Sequence, residues 1–251
     1  MITKRIIPRL NVRDGKVLNE GALESLEIGT LVSLAQAYSD GGADELFFYD
    51  TIATAEEKIL FTEILCKVAK SVFIPLTVGG SIHSTSDFER VLSCGADKVS
   101  VNTGALIHPA LVGEAARKYG DQCVVLSVDV RRMNGEFHVF SKAGKVDTGL
   151  NAIEWIKRCV GEGAGEVVVH SIDADTEKKG FDRELLEKIC DTVNVPIIAS
   201  GGLNTKQQFI DLFKRIPEID AGIADTPFHA GDINVKDLKA VLHNHGINVR
   251  L

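Results

Sequence analysis

Two segments of the chain end an apolar run with a polar side chain that is placed for proton chemistry. Residues 124–128 lead into Asp129, and residues 6–10 lead into Asn11 in the same layout. A pair of carboxyl groups at such positions can act as general acid and general base. An amide neither gives nor takes a proton near neutral pH, so Asn11 leaves Asp129 as the one acid of the pair.

The two segments belong to an internal repeat that runs through the chain. Residues 45–50 match residues 166–171, residues 74–80 match residues 195–202 with one residue extra in the second copy, and residues 97–103 match residues 220–226. The matches keep their order and a nearly constant separation, which chance similarities would not do. The sequence therefore predicts two similar halves, residues 1–122 and 123–251.

Composition and charge narrow the class of protein. The chain has 251 residues, of which 45% are hydrophobic, and no linker rich in Pro, Gly or Ser separates the halves, so we expect one domain over residues 1–251. The formal net charge of −7 argues against nucleic acid or an anionic membrane as the main partner. The N-terminus has no signal-peptide layout, which predicts a cytoplasmic protein.

Cysteine and histidine positions give no sign of a metal centre. The five cysteines (Cys66, Cys94, Cys123, Cys159 and Cys190) lack the spacing of a metal site, and we expect all of them to be free thiols. His170 and His229 lie near predicted strand ends, but no second ligand stands at metal spacing. We expect neither a metal nor a cofactor.

Short apolar runs rich in β-branched residues alternate eight times with amphipathic segments. The predicted strands are residues 6–10, 45–49, 74–78, 98–101, 123–128, 166–170, 196–199 and 221–224. The predicted helices are residues 31–40, 55–70, 85–94, 109–118, 152–162, 183–192, 206–214 and 235–243. Eight such units in a chain of this length indicate an α/β fold, a single (β/α)8 TIM barrel built from two half-barrels.

Residues that follow the strands are the site candidates, because active sites of such barrels lie at the carboxyl ends of the strands. Gly80 and Ser81 follow the third strand, and Asn102 and Thr103 follow the fourth. A glycine turn before a helix exposes backbone N–H groups that can bind phosphate. The second half offers Asp175, Gly202 and Thr226 at corresponding places. Two such sites would hold a substrate with phosphate at both ends.

Several motifs resemble one known family over essentially the whole chain. They include Ile-Ile-Pro-Arg-Leu-Asn-Val-Arg-Asp-Gly, Pro-Leu-Thr-Val-Gly-Gly, Gly-Ala-Asp-Lys-Val-Ser-Val-Asn-Thr and the terminal His-Gly-Ile-Asn-Val-Arg-Leu. The chain resembles HisF, the cyclase subunit of imidazole glycerol phosphate synthase in histidine biosynthesis. The resemblance implies a lyase-type enzyme in which a HisH-like glutaminase partner supplies ammonia through the barrel. The ammonia then reacts with a bis-phosphorylated ribulosyl aminoimidazole carboxamide nucleotide.

The resemblance also assigns residues. It places the two catalytic aspartates at Asn11 and Asp129. It implies a ring of two cations and two anions at the ammonia entrance, formed by Arg5, Glu45, Lys98 and Glu166.

The match is weaker at the carboxyl end of the barrel. Asn11 replaces an acid, Asn19 lies in the loop where the family carries a substrate-binding lysine, and Thr176 replaces a phosphate-binding glycine. Asp225 stands where a small neutral residue precedes the phosphate-binding hydroxyl, and a carboxylate repels a phosphate dianion. We expect an anion to bind at Gly80, Asn102 and Thr103, and not at Thr176, Gly202, Asp225 and Thr226.

Three functions follow from this combination. The preferred one is a HisF paralogue that receives ammonia from a glutaminase and acts on another phosphorylated or nucleotide-like substrate. The second is the cyclase subunit of histidine biosynthesis itself, with unusual substitutions. The third is a non-catalytic barrel that binds a glutaminase partner.

Overall fold

The structure is a computed structural model that describes residues 3–13, 16–17, 28–50 and 55–251. Eleven strands are present in this part of the chain: β1 (Arg5–Arg13), β2 (Lys16–Val17), β3 (Leu46–Asp50), β4 (Leu76–Gly79), β5 (Lys98–Val101), β6 (Val124–Met133), β7 (Glu136–Ser141), β8 (Val146–Asn151), β9 (Glu166–Ser171), β10 (Ile197–Ser200) and β11 (Ala221–Ala224). Eight of them run parallel in the order β5-β4-β3-β1-β11-β10-β9-β6. Pairing of β5 with β6 closes this sheet into a barrel. The predicted TIM barrel and its eight strands are confirmed.

The barrel closes because its strands are apolar on both faces. Inside the lumen, Ile7, Phe47, Val125, Val168 and Ile198 belong to one buried cluster with Ala221 and Ile223. The outward side chains of the same strands join a second, larger cluster with the surrounding helices. Burial on both faces is what a parallel barrel requires, since helices cover the sheet on the outside.

The described helices are α1 (Ile28–Asp40), α2 (Ala55–Ser71), α3 (Thr85–Ser93), α4 (Thr103–Ile107), α5 (Leu111–Tyr119), α6 (Ala152–Glu162), α7 (Ile172–Glu177), α8 (Arg183–Cys190), α9 (Lys206–Arg215), α10 (Thr226–His229) and α11 (Val235–Asn244). Sequence capping signals begin two of them. Ser84 accepts a hydrogen bond from the backbone N–H of Asp87, and Thr205 forms a capping box with Gln208. None of the described helices has the length and apolar character needed to cross a membrane.

The structure adds elements that the periodicity did not predict. β7 and β8 extend β6 as antiparallel strands beside the barrel, and α4, α7 and α10 are single turns directly after barrel strands. The turn between β6 and β7 is Asn134–Gly135, with φ of 51° and 90°. Positive φ at both residues is the geometry that an Asn-Gly hairpin turn adopts.

The expectation of five free cysteines is wrong for one pair. Cys66 in α2 and Cys94 at the end of α3 form a disulfide, with Cα atoms 4.7 Å apart. Consecutive helices of the barrel pack side by side, and this brings the two residues together. Cys123, Cys159 and Cys190 are free.

Candidate active site

Asp129 lies in the lumen at the carboxyl end of the barrel. It shares the inward face of β6 with Val125, since residues four apart on a strand point to the same side. The Nδ2 of Asn102 donates a hydrogen bond to Asp129 Oδ2 at 3.0 Å. Burial raises the pKa of Asp129, against the opposing charges of His170 and Arg9. The sequence analysis predicted both Asp129 and Asn102 at the site, and the structure brings them into contact with each other.

Asn11 is held by Asp225, which follows β11 on the neighbouring strand. The Nδ2 of Asn11 donates to Asp225 Oδ2 at 3.0 Å. The same oxygen accepts bonds from Arg9, at 2.6 Å from Nη2 and 3.2 Å from Nε. The other oxygen accepts the backbone N–H of Thr226 at 2.7 Å. Asp225 is therefore fully engaged within the protein.

The charge state of Asp225 follows from these contacts. Burial by itself would raise its pKa, but the charge and hydrogen bonds of Arg9, with the N–H of Thr226, lower it to about 2. Burial by itself would lower the pKa of the Arg9 guanidinium. The carboxylate of Asp225 outweighs this effect, and the pKa of Arg9 is raised. Both groups are ionised at neutral pH, and the pair adds no net charge to the lumen.

The first-half phosphate candidates lie around a glycine turn. Gly80 has a φ of +86°, and a Cβ built on it would stand 1.7 Å from the carbonyl oxygen of Asp50, so only glycine fits there. Thr103 begins α4, and its Oγ1 accepts the backbone N–H of Lys142 at 3.4 Å, which leaves its own O–H to donate. Asn102 instead donates a hydrogen bond from its side-chain amide to Asp129.

The second-half candidates are arranged differently. By its contact with the carbonyl oxygen of Ser171 and its φ of +91°, Gly201 is the counterpart of Gly80, which corrects the match of Gly80 with Gly202. A Cβ on Gly202 would meet the carbonyl oxygen of Gly180 at 2.1 Å. Asp175 and Thr176 lie in α7, where Thr176 Oγ1 donates to the carbonyl of Ile172 at 2.8 Å. The backbone N–H of Thr226 could donate a hydrogen bond to a phosphate, but it already donates one to Asp225. The loop position of Asn19 lies outside the described residues.

Four charged residues form a closed ring at the opposite, amino-terminal end of the lumen. Arg5 contacts Glu45 at 2.8 Å and Glu166 at 2.6 Å, and Lys98 contacts the same two carboxylates at 3.0 and 2.8 Å. Both glutamates are almost fully buried. The structure thus brings together the four residues that the resemblance groups at an ammonia entrance.

Comparison with known proteins agrees with the fold. The family model described as "Histidine biosynthesis protein" matches residues 5–234. The imidazole glycerol phosphate synthase subunit HisF of Oceanobacillus iheyensis is 44% identical over 252 residues, covering 100% of this chain and 98% of the relative. The chain belongs to the HisF family.

Two residues that line the lumen of this HisF-family chain were not predicted as site residues from the sequence. Arg9 and His170 lie two residues after the inward-facing Ile7 and Val168 on β1 and β9. The period-two pattern of a strand therefore indicates that both side chains face the lumen. His170 was noticed only as a possible metal ligand. Among the described residues, no group of three or more His, Cys, Asp or Glu side chains is arranged to hold a metal ion.

The arrangement supports proton transfer and anion binding at one end of a lumen and charge-controlled entry at the other. Asp129 is a buried carboxyl group with a raised pKa, which suits a general acid near neutral pH. Arg9 contributes a cation within electrostatic reach of both Asp129 and His170.

Proposed function

We propose that this protein is an ammonia-using, HisF-type lyase or cyclase that works with a glutaminase subunit on a phosphorylated substrate other than the histidine-pathway nucleotide. The observation that carries the proposal is the contact of Asp225 with Arg9, Asn11 and the N–H of Thr226. This contact places the carboxylate of Asp225 on the backbone N–H of Thr226, which a second phosphate would need as a hydrogen-bond donor.

The electrostatic cost of a second phosphate supports a changed substrate. Each unit of negative charge about 4 Å from Asp225 is repelled by about 4 kcal/mol at an effective dielectric of about 20. Arg9 offsets part of this cost, but it is already paired with Asp225. A substrate held by one phosphate at Gly80, Ser81 and Thr103 avoids the repulsion.

Asp129 is the proposed catalytic acid. When ammonia adds to a carbonyl carbon, the oxygen gains negative charge and needs a proton. Burial raises the pKa of Asp129, which favours the protonated form that can donate this proton. Asn102 orients Asp129 through the bond to Oδ2, and Asn11 has no proton to give.

The proposed partner surface is the amino-terminal end of the barrel. Phe73 lies three residues before β4, at the same end as the ring of Arg5, Glu45, Lys98 and Glu166, and its side chain is 87% exposed. An exposed aromatic ring is a typical anchor of a protein interface. Phe73→Ala should weaken binding of a HisH-type glutaminase, measured by titration calorimetry. Ile107→Ala, at the opposite end and 72% exposed, is the matched control and should leave binding unchanged.

The two alternatives rest on different features. Full-length identity of 44% to a HisF supports the histidine-pathway cyclase itself. The loss of the first-strand acid at Asn11 supports a non-catalytic barrel that only binds a glutaminase.

Turnover of the histidine-pathway nucleotide with ammonium chloride separates these functions. The purified protein is assayed beside the HisF of Oceanobacillus iheyensis under identical conditions. We expect a residual rate lower by a factor on the order of 10²–10⁴, the contribution of one positioned acid or base. A rate equal to that of the relative would refute the changed substrate.

A further inference from the structure

We propose that His170 is the second proton-transfer residue of this site and acts with Asp129 in the role that Asn11 cannot fill. The inference rests on the proposed function, because it concerns the same site. It assigns a catalytic residue from the geometry of the lumen.

The two side chains are neighbours in the barrel. Asp129 on β6 and His170 on β9 are register partners on adjacent parallel strands. Both face the lumen, because Val125 and Val168 on the same faces belong to the inner apolar cluster. The backbone of two barrel strands therefore places the two residues side by side.

The imidazole is oriented by a hydrogen bond on one side. His170 Nδ1 lies 3.3 Å from Ser200 Oγ on the next strand, β10. In the tautomer whose Nδ1–H donates to Ser200 Oγ, Nε2 carries the lone pair, and among the described residues Nε2 has no hydrogen-bond partner. Asp129 Oδ1 is likewise without a partner there, since Asn102 binds only Oδ2. One proton acceptor and one proton donor thus remain available beside each other.

The other polar groups of the lumen are committed elsewhere. Asp225 is held by Arg9, Asn11 and Thr226, and Tyr49 is hydrogen-bonded to Ser127. Burial and the charge of Arg9 lower the pKa of His170, whereas Asp129 and Asp225 oppose that shift. Burial thus favours the neutral form of both groups, with His170 as a proton acceptor and Asp129 as a proton donor.

The proton balance of ammonia addition fits this pair. As the C–N bond forms, the carbonyl π bond breaks and its oxygen takes the proton of Asp129. The nitrogen becomes cationic and loses one proton to His170 Nε2. Asp129 is then a carboxylate and His170 an imidazolium, and transfer of that proton between the two neighbours restores the starting state.

The first test is a titration of His170 by NMR in the wild type and in Asp129→Asn. The charge of Asp129 opposes the lowering of the His170 pKa, so removing it should lower that pKa further. His138 contacts Asp147 on the outside of the barrel and serves as the internal control that should not move. An unchanged pKa of His170 would overturn the proposed pair.

The second test measures kcat and KM against pH with the histidine-pathway nucleotide and ammonium chloride as probes. His170→Gln should lower the residual kcat by a factor on the order of 10²–10⁴, leave KM unchanged and remove one limb of the pH profile. His138→Gln should change neither. His170→Gln with the wild-type rate and pH profile would disprove the role of His170.

The two proposals fail in different ways. If the wild type turns over the histidine-pathway nucleotide as fast as the Oceanobacillus iheyensis HisF, the proposal of a changed substrate is wrong. The role of His170 is then still decided by the His170→Gln variant. If wild-type turnover lies below detection, the titration of His170 decides whether the pair exists.

Discussion

An acid placed on β1 by Asn11→Asp should destabilise the protein. The amide of Asn11 lies 3.0 Å from Asp225 Oδ2, so the new carboxylate would face an existing one. At that distance two unit charges repel by about 1.4 kcal/mol in water and about 5.5 kcal/mol at an effective dielectric of about 20. Arg9 would attract the new charge and offset part of this. We expect a net loss of about 2–4 kcal/mol at pH 7.

The loss should depend on pH with a defined sign. Repulsion raises the folded-state pKa of one of the two carboxyl groups above its unfolded value of about 3.9. Such a group destabilises the protein once the pH rises through and beyond that range, and the penalty disappears when it is protonated. Urea unfolding followed by circular dichroism should therefore show a larger difference from wild type at pH 8 than at pH 4.

The exchange variant Asn11→Asp with Asp225→Asn is the matched control. It keeps one carboxylate and one amide beside Arg9, so its stability should lie within about 1 kcal/mol of wild type. It also removes the negative charge beside the N–H of Thr226 and places an acid on β1, so its ammonia-dependent turnover of the histidine-pathway nucleotide should exceed that of the single variant. A single Asn11→Asp variant that matches wild-type stability and reaches the family's rate would refute this reasoning.

Three further outcomes test the site. Asp129→Asn should lower ammonia-dependent kcat by a factor on the order of 10²–10⁴, and retention of the wild-type rate would exclude Asp129 as the acid. Arg5→Met leaves two buried glutamates short of a cation and should cost about 3–5 kcal/mol in urea unfolding, whereas Arg183→Met, at an exposed pair with Glu187, should cost under about 0.5 kcal/mol; equal costs would contradict the ring. Thr103→Val should weaken binding of inorganic phosphate in calorimetry and Thr226→Val should not, and the reverse result would assign the anion to the second half.

The barrel was predictable because its strands carry local signals. Each of the eight is a short apolar run bounded by turn residues, and this length and composition are typical of a parallel strand that is buried on both faces. β7 and β8 were missed although Asn134–Gly135 is a strong hairpin signal. β8 is largely exposed and lacks the apolar pattern by which the barrel strands were identified.

The site was predictable only as a set of positions. The sequence placed Asp129, Asn102 and Asp225 at strand ends, but their partners depend on which strands become neighbours. Arg9 and Asp225 lie 216 residues apart and meet because β1 pairs with β11, with Pro8 opposite Ala224. The sequence predicted Asp225 only as a source of repulsion, and the structure adds its partner Arg9, which offsets part of that charge.

The amide–carboxylate contacts at the carboxyl end of the barrel follow the sequence repeat. The sequence repeat matches Asn11 with Asp129 and Asn102 with Asp225. Each matched pair contributes one amide and one carboxylate, and both hydrogen bonds measure 3.0 Å, Asn102 to Asp129 and Asn11 to Asp225. On β6 the carboxylate belongs to the strand itself, whereas beside β1 it has moved to the residue after β11.

That displacement explains Arg9. A carboxylate at Asp225 faces the start of α10 and the lumen, where burial disfavours an unpaired charge, and the guanidinium two residues before Asn11 supplies the counter-charge. Removing any one of Arg9, Asn11 or Asp225 leaves a buried charge or donor without its partner. The three residues therefore form one unit, and a change at Asn11 or Asp225 should be tolerated best when the other residue changes with it.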